Sequence, residues 1–460
     1  MNILLISPPM WTDHVPSLGI NSIAHSLMDN GHNVSIFDFN VKIPHHLTKL
    51  WYNGSLPFWV SIDQYESIIF PQIKDYLNLE IDNIIKIIKE KDIKCVGISI
   101  LCTTMFSATF IIQRIRHLDV KIMIGGREVS RNNSRDNDLL MGIIDAAVIN
   151  EGEVSVPKLI KEWECGNEDF VIPGVNHVVN GVIRKTPPEL IKDLSVLPII
   201  DFRGQDLSYY KTKQDAVSLQ MSRGCYGNCH FCSETGDYRH RKAESIFEEM
   251  KRISELHDIN KFVCVDSVLF PKHREMKKLM KLIIESGKTF LFEGNCRIVP
   301  RLNVEDLLEM KKPGCYSLTF GVESGSQKVL DLMNKKTKVE WAENNLKNCK
   351  IVGIETAVNI LVGFPGEDEK EFQETIDFLL KNKDNISRVN VGYGLTITKD
   401  TELYRNPQKF NIISKIGCDW ETGDGKNTKE VRIERVLRLK EVLESAGLEY
   451  NPKIETTKLA

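Results

Sequence analysis

The sequence predicts an α/β protein with two successive series of strands and helices, a doubly wound parallel sheet followed by a partial (β/α)6 barrel. Three observations support this fold class. Apolar runs of strand length alternate with longer helical segments from residue 2 to about residue 150. Between residues 171 and 198 this alternation stops, and Asn180-Gly181 predicts a hairpin. From Val217 to about residue 400 the alternation resumes, as expected for a second parallel sheet.

Short connections in the first series are typical of a doubly wound, flavodoxin-like sheet, whose ligands bind at the carboxyl ends of the strands. A polar, aromatic-rich insertion at residues 41–75 interrupts this series. The predicted strands are residues 2–7, 31–38, 96–100, 120–124 and 145–149, and the predicted helices are 18–30, a helix ending near 91, and 105–117.

The second series predicts six strands with intervening helices, so catalytic groups are expected at the carboxyl-terminal face of the barrel. The predicted strands are residues 218–222, 262–265, 289–293, 316–321, 355–362 and 387–393, and the predicted helices are 243–257, 273–286, 303–311, a helical region up to 351, and 368–381. Charged residues in 367–381 and 429–446 are expected to face solvent. The predicted divisions are a first domain at 1–165, a linker with the hairpin at 166–205, the barrel at 206–400 and a short C-terminal segment at 401–460.

Composition and charge are those of an ordinary soluble protein. The 460 residues are 42% apolar and 27% charged, and the formal net charge of −3 gives no basic field for nucleic acid, which is not expected as a partner. The N-terminal apolar run is too short, and is broken too early by Pro8 and Pro9, to be a signal peptide or a transmembrane segment. Eleven cysteines without an export signal indicate a reducing, cytoplasmic location.

One short loop contains three of the cysteines, Cys225, Cys229 and Cys232, in the pattern C-x-x-x-C-x-x-C. A tetrahedral zinc site needs a fourth ligand, and neither His230 nor His240 is well placed to supply it. An iron–sulfur cluster can be held by cysteines at every iron but one, which leaves the remaining iron free to bind a small molecule. A structural zinc loop and three unrelated core thiols are the alternatives.

Polar residues and glycines follow three of the barrel strands. Glu323 can accept hydrogen bonds from an ammonium or a ribose hydroxyl, although it can also be a solvated loop residue. The turn from Gly363 to Gly366 has a backbone that can bond to an adenine edge. Arg297 can bind a carboxylate bidentately, and Asp266 has a similar position at the rim. The alternative is that both form structural ion pairs.

The loops after the strands of the first series suit a large planar ligand. Ser7-Pro8-Pro9 follows the first strand, the stretch from Ser99 to Thr104 follows the third, and Gly125-Gly126 follows the fourth. The absent side chains of the two glycines let another molecule approach the backbone. Tight turns without any ligand are the alternative.

The cysteine pattern, with Phe231 directly before the last cysteine, resembles that of the radical S-adenosylmethionine (SAM) superfamily. The resemblance implies a [4Fe–4S] cluster on Cys225, Cys229 and Cys232, whose open iron binds SAM and whose electron cleaves it to a 5′-deoxyadenosyl radical. It implies SAM contacts at Phe231, Arg297, Glu323, Ser324, Gly363, Pro365 and Gly366.

The segments ahead of the cysteine loop resemble the cobalamin-binding domain of cobalamin-dependent radical SAM enzymes, and the resemblance extends to about residue 400. The residues it implies as cobalamin contacts are Pro8, Pro9, Gly19, Ser99, Thr103, Gly125, Gly126, Glu151 and Gly152. The chain departs from the family at Arg127-Glu128-Val129-Ser130, where proline, histidine, a small residue and threonine are common. The D-x-H-x-x-G motif of another class of cobalamin proteins is absent. The family resemblance implies that the lower face of the cobalamin is free of protein histidine.

The resemblance implies a methyltransferase that passes a methyl group from SAM, through cobalamin, to an unactivated carbon of a small-molecule or peptide substrate. An external electron donor such as flavodoxin or ferredoxin is then expected as a partner. The alternative is a cobalamin-binding radical SAM enzyme that catalyses cyclisation, rearrangement or oxidation without methyl transfer, because the same cofactors serve both. The alternative outside the enzymes is a non-catalytic metal-binding or cobalamin-sensing protein.

Overall fold

The computed structural model describes residues 1–11, 14–44, 47, 65–101, 103–131, 141–210, 216–234, 236–269, 273–392, 395–413, 417 and 419–451. The centre of the predicted insertion (residues 48–64) and the chain end (residues 452–460) lie outside the described residues. The chain divides into two compact units, Met1–Asp215 with Arg252–Asp258, and Ala216–Lys251 with Ile259–Ala460.

The first unit is built on a seven-stranded sheet. Its strands are β1 (Asn2–Ser7), β2 (Asn33–Asp38), β3 (Cys95–Ser99), β4 (Lys121–Gly125), β5 (Ala146–Val148), β6 (Val175–Val179) and β7 (Val182–Arg184). The strand order is β2-β1-β3-β4-β5-β6-β7, with β1 to β5 parallel and the last two antiparallel. The sheet therefore contains the predicted parallel series with an added antiparallel edge.

The hairpin predicted at Asn180-Gly181 is the turn between β6 and β7. Both residues have positive φ, 51° and 77°, which favours the right-handed twist of a two-residue hairpin. Strand β6 pairs with β5, so the hairpin extends the first sheet within a unit that runs to Asp215. Residues 166–205, predicted as a linker, thus contain part of the first unit's sheet.

Helices cover both faces of this sheet. They are α1 (Leu18–Asp29), α2 (Phe70–Glu90), α3 (Met105–Ile115), α4 (Arg127–Arg131) and α5 (Ser155–Glu164). Alternate residues of β1 point to opposite faces: Leu4 and Ile6 join a core with α2 and α3, whereas Ile3 and Leu5 join a second core with α1 and α5. The doubly wound arrangement predicted from the sequence is confirmed. Helix α2 begins earlier than predicted, because Pro71 in its first turn is compatible with a helix start.

The second unit contains the predicted parallel strands and one hairpin that was not predicted. Its strands are β8 (Ala216–Leu219), β9 (Ser222–Cys225), β10 (Gly236–His240), β11 (Lys261–Leu269), β12 (Leu291–Arg297), β13 (Cys315–Glu323), β14 (Glu355–Ile360), β15 (Arg388–Val391) and β16 (Tyr450–Asn451). The main sheet has the order β16-β15-β14-β13-β12-β11-β8 and all its pairs are parallel. The six predicted barrel strands are confirmed, and the two-residue β16 adds to their edge.

Strands β9 and β10 form a separate antiparallel pair around the cysteine loop. Their register shifts between Gly236 and Arg239, which marks a bulge. The sequence around Cys225 is polar and glycine-bearing, without the alternation that identifies a strand. This hairpin was therefore missed by the sequence analysis.

The helices of the second unit follow the predicted order, with additional helices near the C-terminus. Helix α6 (Ala243–His257) starts in the second unit, and its residues from Arg252 onward are grouped with the first. The others are α7 (Arg274–Ser286), α8 (Val304–Lys311), α9 (Gln327–Leu332), α10 (Val339–Val352), α11 (Glu369–Lys381), α12 (Glu402–Arg405) and α13 (Lys429–Ser445). In the part of the chain that the structure describes, no helix combines the length and apolarity needed to cross a membrane.

The C-terminal segment belongs to the core of the second unit. Trp420 is fully buried and its indole N–H donates to the Leu395 carbonyl at 2.6 Å. It shares a cluster with Phe410 and with Phe364 of the barrel loop after β14. The expectation of a solvated charged face on α13 was wrong for two residues, because Arg432 and Arg435 are 2% and 4% exposed.

Candidate active site

The cysteine loop starts at the end of β9 and is anchored by one buried carboxylate. Asp266, on β11, accepts hydrogen bonds from the backbone N–H of Met221 at 3.1 Å, from the backbone N–H of Ser222 and from the Ser222 hydroxyl at 2.5 Å. Burial raises the pKa of Asp266 to about 6. The rim role considered for Asp266 is replaced by a structural one, because its oxygens fix the strand that leads into the loop.

Each of the three cysteines is a free thiol that lies near a hydrogen-bond donor. The N–H of Gly227 donates to Cys225 Sγ at 3.3 Å, the N–H of Glu234 to Cys232 Sγ at 3.3 Å, and Arg297 Nη1 to Cys229 Sγ at 3.5 Å. Donors of this kind stabilise a thiolate and tune the iron–sulfur cluster it binds. The loop thus has the donor set of a site for negatively charged sulfur ligands.

The pKa of the Cys232 thiol depends on the other two cysteines. Burial raises the pKa of Cys232, and negative charge on Cys229 and Cys225 raises it further. Among the described residues, no three His, Cys, Asp or Glu side chains are arranged to share one metal ion. In a cluster, by contrast, each cysteine binds its own iron.

Arg297, at the end of β12, lies against the cysteine loop. Besides its contact with Cys229, its guanidinium donates to the Lys335 carbonyl and lies 5.8 Å from the centroid of the Tyr226 ring. A Cβ at Gly227 would lie 2.2 Å from Arg297 Nη1, so a glycine is needed for this approach. Sequence reasoning placed Arg297 at the barrel mouth to bind a carboxylate, and the structure places its guanidinium on the loop.

Glu323 ends β13 and is paired with a residue that sequence reasoning did not single out. Its Oε1 accepts from Lys335 Nζ at 2.6 Å, and the two side chains are 12% and 6% exposed. The Glu323 φ is +69°, a conformation that costs energy for a residue with a side chain and is common at functional sites. Nothing in the run Met333-Asn334-Lys335-Lys336 distinguishes the buried lysine from its neighbour.

Ser324, the next predicted SAM contact, uses its hydroxyl within the protein. Ser324 Oγ lies 3.0 Å from the Thr375 hydroxyl of α11 and accepts from the Ser326 N–H at 3.1 Å. Phe231 is partly buried, with its ring centroid 6.4 Å from that of Phe364. The cysteine loop and the loop after β14 are therefore in contact through these two rings.

The turn from Gly363 to Gly366 after β14 is held from two sides. Glu367 Oε2 accepts from the Gly363 N–H at 2.6 Å, and Asn427 Nδ2 donates to the carbonyls of Gly363 and Phe364 at 3.1 and 3.2 Å. Gly363 and Gly366 have φ values of +79° and +91°, which explains the glycines. Pro365 lies between them in the turn.

Glu367 is buried and is not the cap of the helix that follows the turn. The cap of α11 is Asp368, which forms a reciprocal capping box with Glu371. Glu367 is 3% exposed and lies 3.4 Å from Arg435 Nη1. Burial nevertheless raises the pKa of Glu367 to about 7. Arg435 is distant in sequence and its helix has no pattern that would have linked it to this loop.

In the first unit, the predicted cobalamin contacts lie mainly at the carboxyl ends of the parallel strands. Pro8 and Pro9 follow β1, Ser99 ends β3, Gly125 ends β4, Gly126 follows it, and Glu151 and Gly152 follow β5. Hydrogen bonds connect these loops: Thr103 Oγ1 donates to the Met10 carbonyl at 2.7 Å, the Ile100 N–H donates to the Gly125 carbonyl at 2.7 Å, and the Glu128 N–H donates to the Ile100 carbonyl at 3.2 Å. The loops after β1, β3 and β4 therefore meet at one edge.

Gly19 and Glu151 are two predicted contacts outside the loops after β1, β3 and β4. Gly19 lies in the first turn of α1, and a Cβ there would meet no atom within 4 Å. Glu151 accepts from the Ile191 N–H at 2.6 Å, so its carboxylate is bonded within the first unit.

A buried polar network supports the loop after β1, and sequence reasoning did not identify it. Asp38 ends β2 and accepts from the Asn40 N–H, from Asn40 Nδ2 and from the Tyr210 hydroxyl, each at 2.9 Å. Asn40 Nδ2 also donates to the Pro8 carbonyl at 3.2 Å. Burial raises the pKa of Asp38. The network joins β2, the Pro8 loop and the segment that ends the first unit.

The family model of the radical SAM superfamily matches residues 219–379, which include the cysteine loop, Glu323 and the turn at Gly363. These residues form a radical SAM domain. The match starts in β8 and ends within α11, so the parallel strands β11 to β14 all belong to this domain.

Relatives and solved structures extend the likeness beyond the radical SAM domain. An uncharacterised methyltransferase of Pyrococcus horikoshii is 27% identical over 315 residues, 66% of this chain and 68% of the relative. An anaerobic magnesium-protoporphyrin IX monomethyl ester cyclase of Rubrivivax gelatinosus is 26% identical over 243 residues, 50% of this chain and 44% of the relative.

A solved structure is similar to both units. It is that of the radical SAM methyltransferase TsrM of Kitasatospora setae, with cobalamin and a [4Fe–4S] cluster bound. The match covers 94% of this chain and 84% of the TsrM chain, with a TM-score of 0.68 and 16% sequence identity. Both units thus have the fold found in that structure.

Proposed function

We propose that the chain is a cobalamin-dependent radical SAM enzyme that transfers a methyl group to an unactivated carbon. The observation that carries the proposal is the loop of Cys225, Cys229 and Cys232, with a hydrogen-bond donor at each sulfur, in a radical SAM domain that follows a doubly wound sheet. The same two-part fold occurs in TsrM, described as a methyltransferase with cobalamin and a cluster bound.

The three thiols fit a [4Fe–4S] cluster. They are free, they are supplied by one short loop, and Arg297 places a cation beside Cys229. This positive charge and the two backbone N–H donors offset the negative charge of three thiolates. A reducing compartment such as the cytoplasm keeps the thiols available.

SAM binds at the carboxyl edge of β13 and β14. The Glu323 carboxylate accepts from the SAM ammonium or ribose, and the backbone of the turn from Gly363 to Gly366 bonds the adenine. Phe231 packs beside Phe364 and closes the gap between the cysteine loop and this turn. These residues orient SAM and exclude water from its sulfonium.

Cobalamin fits the carboxyl edge of the first sheet, where the loops after β1, β3 and β4 meet. Gly126 lets the loop after β4 pack against the loop after β3, since a Cβ there would lie 2.5 Å from the Ile100 carbonyl oxygen. The Thr103 bond to Met10 fixes the loop that contains Pro8 and Pro9. When bound, the cluster and SAM supply a hydrogen-abstracting radical, and cobalamin supplies the methyl group. An external electron donor such as flavodoxin or ferredoxin reduces the cluster.

The test is anaerobic reconstitution with iron, sulfide and hydroxocobalamin, followed by addition of SAM and a strong one-electron reductant such as dithionite or titanium(III) citrate. The expected result is about four irons and one cobalamin per chain, with 5′-deoxyadenosine and S-adenosylhomocysteine released. The variant with Cys225, Cys229 and Cys232 all changed to Ala should bind cobalamin but no cluster. A wild-type chain that takes up no cluster contradicts the proposal, and a cluster without cobalamin contradicts its cobalamin part.

A second candidate has a specific observation in its favour. The relative from Rubrivivax gelatinosus is named as a cyclase, not as a methyltransferase. A radical SAM enzyme of this architecture can therefore catalyse cyclisation, rearrangement or oxidation. Supplying SAM with an isotopically labelled methyl group separates the two candidates, because only the methyltransferase places the label in the substrate, a small molecule or a peptide.

A further inference from the structure

Lys335 connects the two parts of the proposed SAM site. Its ammonium lies 2.6 Å from Glu323 Oε1 and 5.8 Å from the centroid of the Phe231 ring, within the range of a cation–π interaction. Its own carbonyl accepts a hydrogen bond from Arg297, whose other terminal nitrogen donates to Cys229. One residue thus contacts the carboxylate, the aromatic ring and the arginine of this site.

The turn that carries Lys335 is bonded directly to the cysteine loop. The N–H of His230 donates to the Met333 carbonyl at 2.9 Å, and His230 Nδ1 lies 2.9 Å from the Leu332 carbonyl. Asn334 Nδ2 donates to the Asn228 carbonyl at 2.7 Å. The turn therefore fixes the loop between Cys225 and Cys232 while its lysine reaches the other way, to Glu323.

The surrounding backbone is shaped for this lysine. Asn334 and Lys336, on either side of it, have φ values of +53° and +54°. At Gly321 a Cβ would lie 2.6 Å from Glu323 Oε1 and 2.8 Å from Lys335 Nζ, so a side chain there would displace the ion pair. Lys335 is 5% exposed, whereas the adjacent Lys336 is exposed.

Burial determines what the pair does. A carboxylate removed from water needs a cation or donors to stay ionised. Without Lys335, the Glu323 carboxylate would lose its bonding partner and could turn away from the position that SAM needs. The pair therefore holds the Glu323 carboxylate in one direction before SAM arrives.

We propose that Lys335 is a positioning residue for SAM. It holds the Glu323 carboxylate in a fixed position relative to the cysteine loop. This inference rests on the proposed function, because it assumes that SAM binds at Glu323. Lys335 acts through Glu323 and through the loop, and its removal should affect SAM binding more than cluster assembly.

The experiment compares reconstituted wild-type protein with Lys335→Met, Lys335→Arg and Lys336→Met. SAM binding is read from the change it causes in the electron paramagnetic resonance spectrum of the reduced cluster, which does not depend on turnover. We expect Lys335→Met to weaken SAM binding about ten-fold or more, as loss of one partner of a buried charge pair does, with cluster content unchanged. Lys335→Arg should recover most of the affinity, and Lys336→Met, which removes the same charge from the exposed neighbour, should match the wild type.

The double variant Lys335→Met/Glu323→Gln covers the case in which Lys335→Met loses its cluster, because it leaves no unpaired buried charge. It should keep the cluster and bind SAM as weakly as Glu323→Gln alone. Wild-type affinity in Lys335→Met or in the double variant overturns the inference. A wild-type chain that takes up no cluster, or whose reduced cluster does not respond to SAM, contradicts the proposed function instead.

Discussion

Asn427, in the C-terminal segment, donates from one amide nitrogen to two carbonyls of the turn after β14, to Gly363 at 3.1 Å and to Phe364 at 3.2 Å. Asn427 is 1% exposed, and its Oδ1 accepts from Arg432 Nη1 at 3.0 Å. The C-terminal segment therefore holds the turn proposed to bind the adenine of SAM.

Replacing Asn427 with Ala should loosen this turn. Two buried carbonyls and one arginine donor would lose their partner, which costs about 1 to 3 kcal/mol of unfolding free energy. We also expect SAM affinity to fall several-fold, because the turn is no longer held in one conformation. Urea unfolding and calorimetric SAM titration measure the two effects.

Asn382 provides the matched control for this change. It is 4% exposed and donates to the Phe378 carbonyl at 2.8 Å, at the opposite end of α11 from the turn. Asn382→Ala should lower stability while SAM affinity stays at the wild-type value. Equal losses of SAM affinity in the two variants would show that Asn427 has no particular role at the turn.

Glu367 gives the second prediction, on the pH dependence of stability. Its pKa is raised from 4.5 to about 7 by burial, so the folded state disfavours the ionised form. The stability contributed by protonated Glu367 is fully present below about pH 4.5 and is lost as pH rises to about 7. At 1.36 kcal/mol per pKa unit this loss amounts to roughly 3 kcal/mol.

Glu367→Gln removes this titration and should flatten the fall of unfolding free energy between about pH 4.5 and about pH 8. The quantity to measure is the difference in urea midpoint between the variant and the wild type across that range. Asp266, whose pKa is also raised, contributes equally to both proteins and cancels. Parallel pH profiles for the two proteins would mean that Glu367 is already ionised through its contact with Arg435.

The sequence predicted the order of strands and helices because apolar runs of strand length are visible locally, as at residues 2–7 and 316–321. It predicted the cysteine loop because the three cysteines are close in the chain. Contacts between distant segments leave no such signal. Asn427 and Gly363 are 64 residues apart, and Tyr210 and Asp38 are 172 apart.

Charge was the most misleading local signal. Arg432 and Arg435 were grouped with solvated charges, since a helix rich in lysine, arginine and glutamate usually faces water. In the structure, Arg432 donates to the Trp420 carbonyl at 2.8 Å and its guanidinium lies 4.0 Å from the Trp420 ring centroid. Their burial depends on partners that periodicity cannot identify.

The third prediction concerns Gly227, in the cysteine loop. A Cβ at this position would lie 2.2 Å from Arg297 Nη1, so Gly227→Ala must displace the guanidinium from Cys229. We expect reconstituted iron content to fall several-fold, because Cys229 loses its charged donor. Iron and sulfide counting after reconstitution measures this.

A double-mutant cycle tests the route of the Gly227 effect. If the alanine acts by displacing Arg297, then Gly227→Ala should cost little in an Arg297→Ala background. Additive losses in the two backgrounds would instead mean that the alanine distorts the loop backbone directly.

The fourth prediction concerns Tyr210, whose hydroxyl donates to Asp38 Oδ2 at 2.9 Å. Tyr210→Phe leaves a buried carboxylate oxygen without this donor. A hydrogen bond to a charged group is stronger than one to a neutral group, so the cost should be about 2 kcal/mol where Asp38 is ionised and smaller where it is protonated. Burial raises the pKa of Asp38, and loss of the donor raises it further.

The destabilisation caused by Tyr210→Phe should therefore be larger at neutral pH than at acidic pH, as measured by urea unfolding followed in the first unit. Tyr209 is the control, since it is the adjacent residue and is 60% exposed. Tyr209→Phe should leave stability unchanged at both pH values. A pH-independent cost for Tyr210→Phe would mean that Asp38 keeps one protonation state throughout. A cost shared by both variants would mean that the segment as a whole, rather than this bond, stabilises the end of the first unit.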